Sequence, residues 1–138
     1  MFLLLALVCL GAGCGQAETP TSPTTVAAAP PRTVLFSGTL AIGGSRFYSF
    51  TVSQAGVASL MLASITRDGS GPALPATVGL GVGVPSGTDC ATTASAVTGA
   101  ALTAQLTESL LPGIHCARIA DVGTLTEPVA FVIRITVP

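Results

Sequence analysis

The fold is decided by residues 113–138, GIHCARIADVGTLTEPVAFVIRITVP. Within it Val129, Phe131, Ile133, Ile135 and Val137 alternate with Ala130, Val132, Arg134 and Thr136. Strict alternation over nine residues is the period of a strand with one face buried. Residues 114–120 read as a second strand, and Asp121-Val122-Gly123 as the turn between them. On that reading the two form a hairpin that the rest of the chain packs against. Alternation places Cys116 and Arg118 on the face opposite His115, Ala117 and Ile119.

Five further strands follow from the same period, spaced by turn residues. They are residues 34–40, 46–52, 57–64, 77–84 and 101–107. Tyr48, Phe50 and Val52 point inward on the second, and Ala58, Leu60 and Leu62 on the third. Leu102, Ala104 and Leu106 point inward on the fifth. Residues 66–75 and 85–99 read as loops. No stretch of ten residues outside the leader carries a helical period. Seven short alternating strands in about a hundred residues fit an all-β, antiparallel two-sheet β-sandwich of jelly-roll type over residues 33–138.

The fourth strand interleaves Val78, Leu80, Val82 and Val84 with Gly79, Gly81 and Gly83. Three glycines on one face leave a bare stripe, which marks a close approach by another backbone or an open groove. The expectation is that the loop carrying Cys90 lies over it. A groove for a ligand or a second chain is the functional alternative.

Composition narrows the function. Half the 138 residues are apolar and only 8% are charged; five arginines face six acids, with no lysine, for a net charge of −1. Such a neutral surface has no field for nucleic acid, whose binding rests on many phosphate contacts. Residues 1–13, MFLLLALVCLGAG, are too short to span a bilayer and read as the apolar core of a signal peptide. No basic residue precedes them, which points to a start upstream of Met1. Gly11-Ala12-Gly13-Cys14 resembles the bacterial lipobox, in which small residues precede a cysteine that is lipidated and becomes the mature N-terminus. The departure is Gly11, where the lipobox usually has Leu. An ordinary cleaved signal peptide with Cys14 incidental is the alternative.

Residues 14–32 then form a tether. Pro20, Pro23, Pro30 and Pro31, with several threonines, favour extended, unpacked chain. At about 3 Å per residue it reaches roughly 50 Å. The expected location is the bacterial cell envelope, periplasmic or cell-surface, with the membrane engaged through lipid on Cys14. If Cys14 is not acylated the protein is secreted.

Two cysteines remain beyond the leader. In an exported protein they pair, and a Cys90–Cys116 disulfide is expected to staple the 85–99 loop to the outside of the sheet. On the chain-entropy account that contributes about 3–4 kcal/mol. A metal site built on them lacks partners, since there is no CxxC and one histidine.

Catalytic chemistry has little to stand on. His115 is the lone histidine, and no Gly-x-Ser-x-Gly or other nucleophile context occurs. It reads as a packed strand residue. Asp68, Asp89, Asp121 and Glu127 fall in loops or turns and are too sparse for a calcium loop of EF type, although calcium held across loops stays open. Arg118 and Arg134 are expected near each other on neighbouring strands, as an anion contact or a solvated edge.

Several segments carry a resemblance. Phe36-Ser37-Gly38-Thr39-Leu40, the strand Arg46-Phe47-Tyr48-Ser49-Phe50-Thr51-Val52, Gly56-Val57-Ala58-Ser59-Leu60-Met61-Leu62 and Gly113-Ile114-His115-Cys116-Ala117-Arg118-Ile119-Ala120-Asp121 resemble the bacterial pre-peptidase C-terminal domain. The likeness covers about residues 34–137 and rests on turn glycines, an aromatic second strand and a Gly-x-aromatic-x-x-Arg strand. His115 stands where the family has an aromatic. The resemblance implies a non-catalytic sandwich that accompanies secreted enzymes and sometimes binds calcium or an extracellular polymer. The family's acidic ligands have no clear match here. The functional expectation is a non-enzymatic, envelope-tethered lipoprotein whose sandwich binds a protein or glycan. The alternatives are a structural component that pairs through its sheet edges and a calcium-binding accessory domain.

Overall fold

A computed structural model describes residues 21–138. Residues 21–31 are exposed and carry no regular secondary structure. The leader and Cys14 lie outside the described residues. Eight strands follow: β1 (Arg32–Leu40), β2 (Ser45–Val52), β3 (Gly56–Thr66), β4 (Val78–Ser86), β5 (Asp89–Thr98), β6 (Leu106–Leu110), β7 (Gly113–Asp121) and β8 (Val129–Val137). They form two antiparallel four-stranded sheets, ordered β1-β8-β3-β6 and β2-β7-β4-β5. The architecture is the expected all-β sandwich, with one strand more than the seven expected.

The alternating faces form the core. Val129, Phe131, Ile133, Ile135 and Val137 of β8 meet Ala117 and Ile119 of β7 across the gap, with Leu60 and Leu62 of β3 and Val78, Leu80 and Val82 of β4. All are buried, which is the main source of stability in a chain with so few charges.

Three expectations are corrected. First, β7 and β8 are not a hairpin: each is an inner strand of a different sheet. Residues 122–128 carry the chain across the sandwich. The Asp121 carboxylate directs the crossing by accepting from the backbone N–H groups of Gly123 (2.8 Å), Thr124 (3.0 Å) and Leu125 (3.2 Å). The same carboxylate accepts from Gly43 N–H (2.8 Å), tying in the β1–β2 turn. Arg118 and Arg134 therefore belong to separate sheets and are not neighbours.

Second, most of the 85–99 segment is a strand. Ser86 pairs with Asp89 around a two-residue turn, and Gly87 takes φ of 59°, the left-handed value such turns require of a glycine. Third, residues 101–105 are a connection rather than the start of a strand, and Leu102 is 93% exposed instead of inward. The β3–β6 ladder ends at Leu60, opposite Leu106. Gln105 extends the contact by one step: its Oε1 accepts from Leu62 N–H at 2.7 Å and its backbone N–H donates to the Leu60 carbonyl at 3.0 Å.

Candidate functional site

The glycine stripe of β4 has two fates along its length. At Gly83 the neighbouring strand lies directly on it. A Cβ there would collide with the Ala91 carbonyl, so only glycine lets β5 fold over β4. Here Cys90 of β5 and Cys116 of β7 are bonded, with Cα atoms 5.9 Å apart. The two strands flank β4 on opposite sides, and the bond spans it. Cys116 faces away from the core yet is fully buried under this bridge, on the outside of the sheet as alternation predicts.

Farther along, the stripe is partly covered: Gly81 is buried beneath Thr92, and Gly79 is half-buried. Gly79 and Gly81 floor a trough of about 410 Å³ on the outer face of the second sheet. Thr92, Ser95 and Val97 of β5 form one wall, Arg118 and Ala120 of β7 the other, and Val122 closes one end. A Cβ at Gly79 would meet Val122 Cγ1 at 3.3 Å, and one at Gly81 would meet Thr92 Cγ2 at 2.7 Å. The glycines thus set the depth of the trough. Its size lies at the lower end of the range for small-molecule sites.

Two charged residues line this trough, Asp121 and, on the β7 wall, Arg118. Its Nε is buried and makes no hydrogen bond. Asp89 Oδ1 lies 3.5 Å from it, an ion-pair distance too long and too exposed on the aspartate side to hold the group firmly. Nε is out of a ligand's reach, and the partly exposed remainder of the guanidinium is what can meet carbonyl, hydroxyl or carboxylate oxygens. With two hydroxyls opposite and the Val97 and Val122 side chains at the rim, the trough suits an extended, oxygen-bearing segment.

The other titratable groups are already engaged, and of them only Asp121 also lines the trough. His115 sits on the core side of β7, its ring tilted against Phe50 with centroids 6.1 Å apart, and its Nε2 is 2.8 Å from the Leu111 carbonyl. Thr93, Glu108 and Ser109 border the same shallow depression. Glu108 and Ser109 are adjacent on β6 and project to opposite faces, so they cannot converge on one reacting atom. Asp121 is held below the usual carboxylate range, first by the Gly43 N–H and then by the three N–H groups of its own turn. Its oxygens are thereby already engaged. Asp68 accepts from Ser70, and Glu127 holds Arg67 in a two-pronged pair at 2.8 Å. Among the described residues no three His, Cys, Asp or Glu side chains come together as a metal site.

Of the residues singled out from sequence, Cys90 and Cys116 are brought together and Arg118 and the glycines share one surface. His115, Asp68 and Glu127 stand apart from it. Sequence reasoning misses Thr92, Ser95 and Val97 because their small and polar run reads as loop. The signal was present in the Ser86-Gly87-Thr88-Asp89 turn followed by β-branched residues. Compared with protein-family models and with curated proteins, the chain matches none of either.

Proposed function

We propose that this chain is a non-enzymatic lipoprotein of the bacterial cell envelope, whose sandwich binds a glycan or protein segment in the trough along β4. The observation that carries the reading is the trough beside Gly79, with the partly exposed guanidinium of Arg118 on its wall. A glycine floor admits a ligand backbone close to the sheet, and the exposed part of the guanidinium orients its oxygens. The apolar leader, the small residues before Cys14 and the proline-rich residues that follow support an anchor and spacer. The resemblance to the pre-peptidase C-terminal domain supports an accessory role beside extracellular enzymes.

Two measurements test this. Mass spectrometry of the mature N-terminus should find diacylglycerol on Cys14. A glycan and peptide array should give binders for the wild-type protein that are lost in Arg118→Ala and in Gly79→Val, which fills the trough. An array with no signal above background, or hits that both variants retain, would remove the reading.

A further inference from the structure

The two ends of the sandwich differ in what they expose. One end gathers the starts of β1, β3, β5 and β7 and the finishes of β2, β4, β6 and β8. The exposed residues 21–31 enter the fold here, at Arg32, whose side chain donates to the Thr51 carbonyl at 3.0 Å. Three turns close this end: Ser53-Gln54-Ala55, Gly87-Thr88 and Leu111-Pro112. None of them carries a charge. At the opposite end the connections 67–77 and 122–128 carry Arg67, Asp68 and Glu127, and Asp121 borders them.

Large apolar side chains surround these uncharged turns. Leu111, within one of them, is 71% exposed. Ile114 on the outer face of β7 and Val57 on the outer face of β3 are each 63% exposed. Val84, near the finish of β4, borders the same depression as Leu111. The charges nearest this end, Arg32, Asp89 and Glu108, belong to strands and not to the turns. Ile42 and Leu102 are exposed at the opposite end, but they share it with the charged connections.

We propose that this end of the sandwich rests on the lipid surface to which the chain is anchored, with Leu111, Ile114 and Val57 at the level of the headgroups. The inference rests on the lipid anchor of the proposed function and adds an orientation to it. Two observations select a bilayer as the occupant. The first is where the tether joins. Nine residues of β8, at about 3.3 Å each, set the two ends about 30 Å apart. Anchoring therefore brings the uncharged turns to the lipid first and holds them there at high local concentration. The second is the distribution of charge. A membrane interface accepts apolar side chains and costs charged ones their hydration. That suits these turns and disfavours the end with Asp68, Asp121 and Glu127. Because the contact is apolar, salt and anionic lipid should leave it unchanged. The trough lies along the Gly79 half of β4, toward the other end, and stays clear of the lipid.

The chain has no tryptophan, so Leu111→Trp and Ile42→Trp each introduce a single reporter, one at either end. The full chain carrying one or the other is bound to phosphatidylcholine vesicles whose acyl chains carry bromine. Leu111→Trp emission should shift to the blue and be quenched severalfold more than Ile42→Trp emission, with or without added salt. Adding Ile114→Asp should reduce the quenching of Leu111→Trp and leave the circular dichroism unchanged. Quenching that is equal at the two positions, absent at both, or unmoved by Ile114→Asp overturns the proposal. The same pair is also read with Cys14→Ser and an N-terminal histidine tag, held on nickel-chelating lipid. If mass spectrometry finds no acyl group on Cys14 the anchor reading falls, and the tagged pair still decides which end meets lipid.

Discussion

The two long sides of the sandwich solve the same problem differently. On the β1/β2 side an aromatic cluster seals the gap. Tyr48 stacks on Phe36 with centroids 4.8 Å apart and meets the edge of Phe131 at 6.2 Å. Gly38 makes room for it: a Cβ there would come within 2.5 Å of the Tyr48 hydroxyl. Two of the five arginines reinforce the closure by reaching across to carbonyls of the opposite sheet. On the β5 side a disulfide takes the place of aromatic packing, holding β5 down over Gly83, with Thr92 over Gly81 and a trough left beside Gly79. With charge this scarce, side chains borrowed from the facing sheet protect one side, and the other is left available for contact.

The largest effect should come from breaking the closed side. Phe131 is buried under Tyr48, and Phe131→Ala should destabilise the domain by about 3–5 kcal/mol, read as a lower denaturant midpoint. Removing the staple of the open side, Cys90→Ala with Cys116→Ala, should lose about 3–4 kcal/mol for a sequence separation of 26. The two differ in kind. Hydrogen exchange should show amides of β5 opening first in the cysteine-free protein, while β1 and β2 keep their protection. Uniform loss across both sheets would mean the bond stabilises the whole domain and not the open side. Tyr48→Phe deletes one strap and should cost about 1 kcal/mol, with faster exchange confined to β1 and β2.

Acid probes the loops that join the sides. Asp121 is held low chiefly by the Gly43 N–H, and Glu127 by its hydrogen bond from Arg67. Both carboxylates titrate lower folded than unfolded. Their contribution is therefore present above the ordinary carboxylate range and is lost as pH falls through their folded values. Denaturant midpoints should decline on acidification, and Asp121→Asn should flatten part of that decline. An unchanged slope in the variant would show that the turn is held by other contacts.

Much of the fold was legible because large apolar residues alternate where strands are buried on one face, as in β8 and β3. The strand β5 was not, since one face looks out on the trough and the other meets the core only through small residues such as Ala94. Ala, Thr and Ser suffice there, and they mimic a polar loop. The 101–107 run failed for the opposite reason: Leu102 and Leu106 keep the period, but pairing with β3 starts only at Leu106, and the Gln105 side chain takes the next backbone N–H. Sheet order was also hidden. Alternation correctly sent Cys116 and Arg118 outward, yet nothing in the β7–β8 stretch reveals that its two strands enter different sheets. The trough could be read as far as its glycine floor; its walls depend on β5 and on that sheet order.

The most direct test of the trough is an amide chemical-shift titration with the strongest array ligand. The account predicts shifts at Gly79, Gly81, Thr92, Ser95 and Arg118, absent in Arg118→Ala. Shifts confined to β1 and β2, or a ligand that binds the variant equally well, would contradict it.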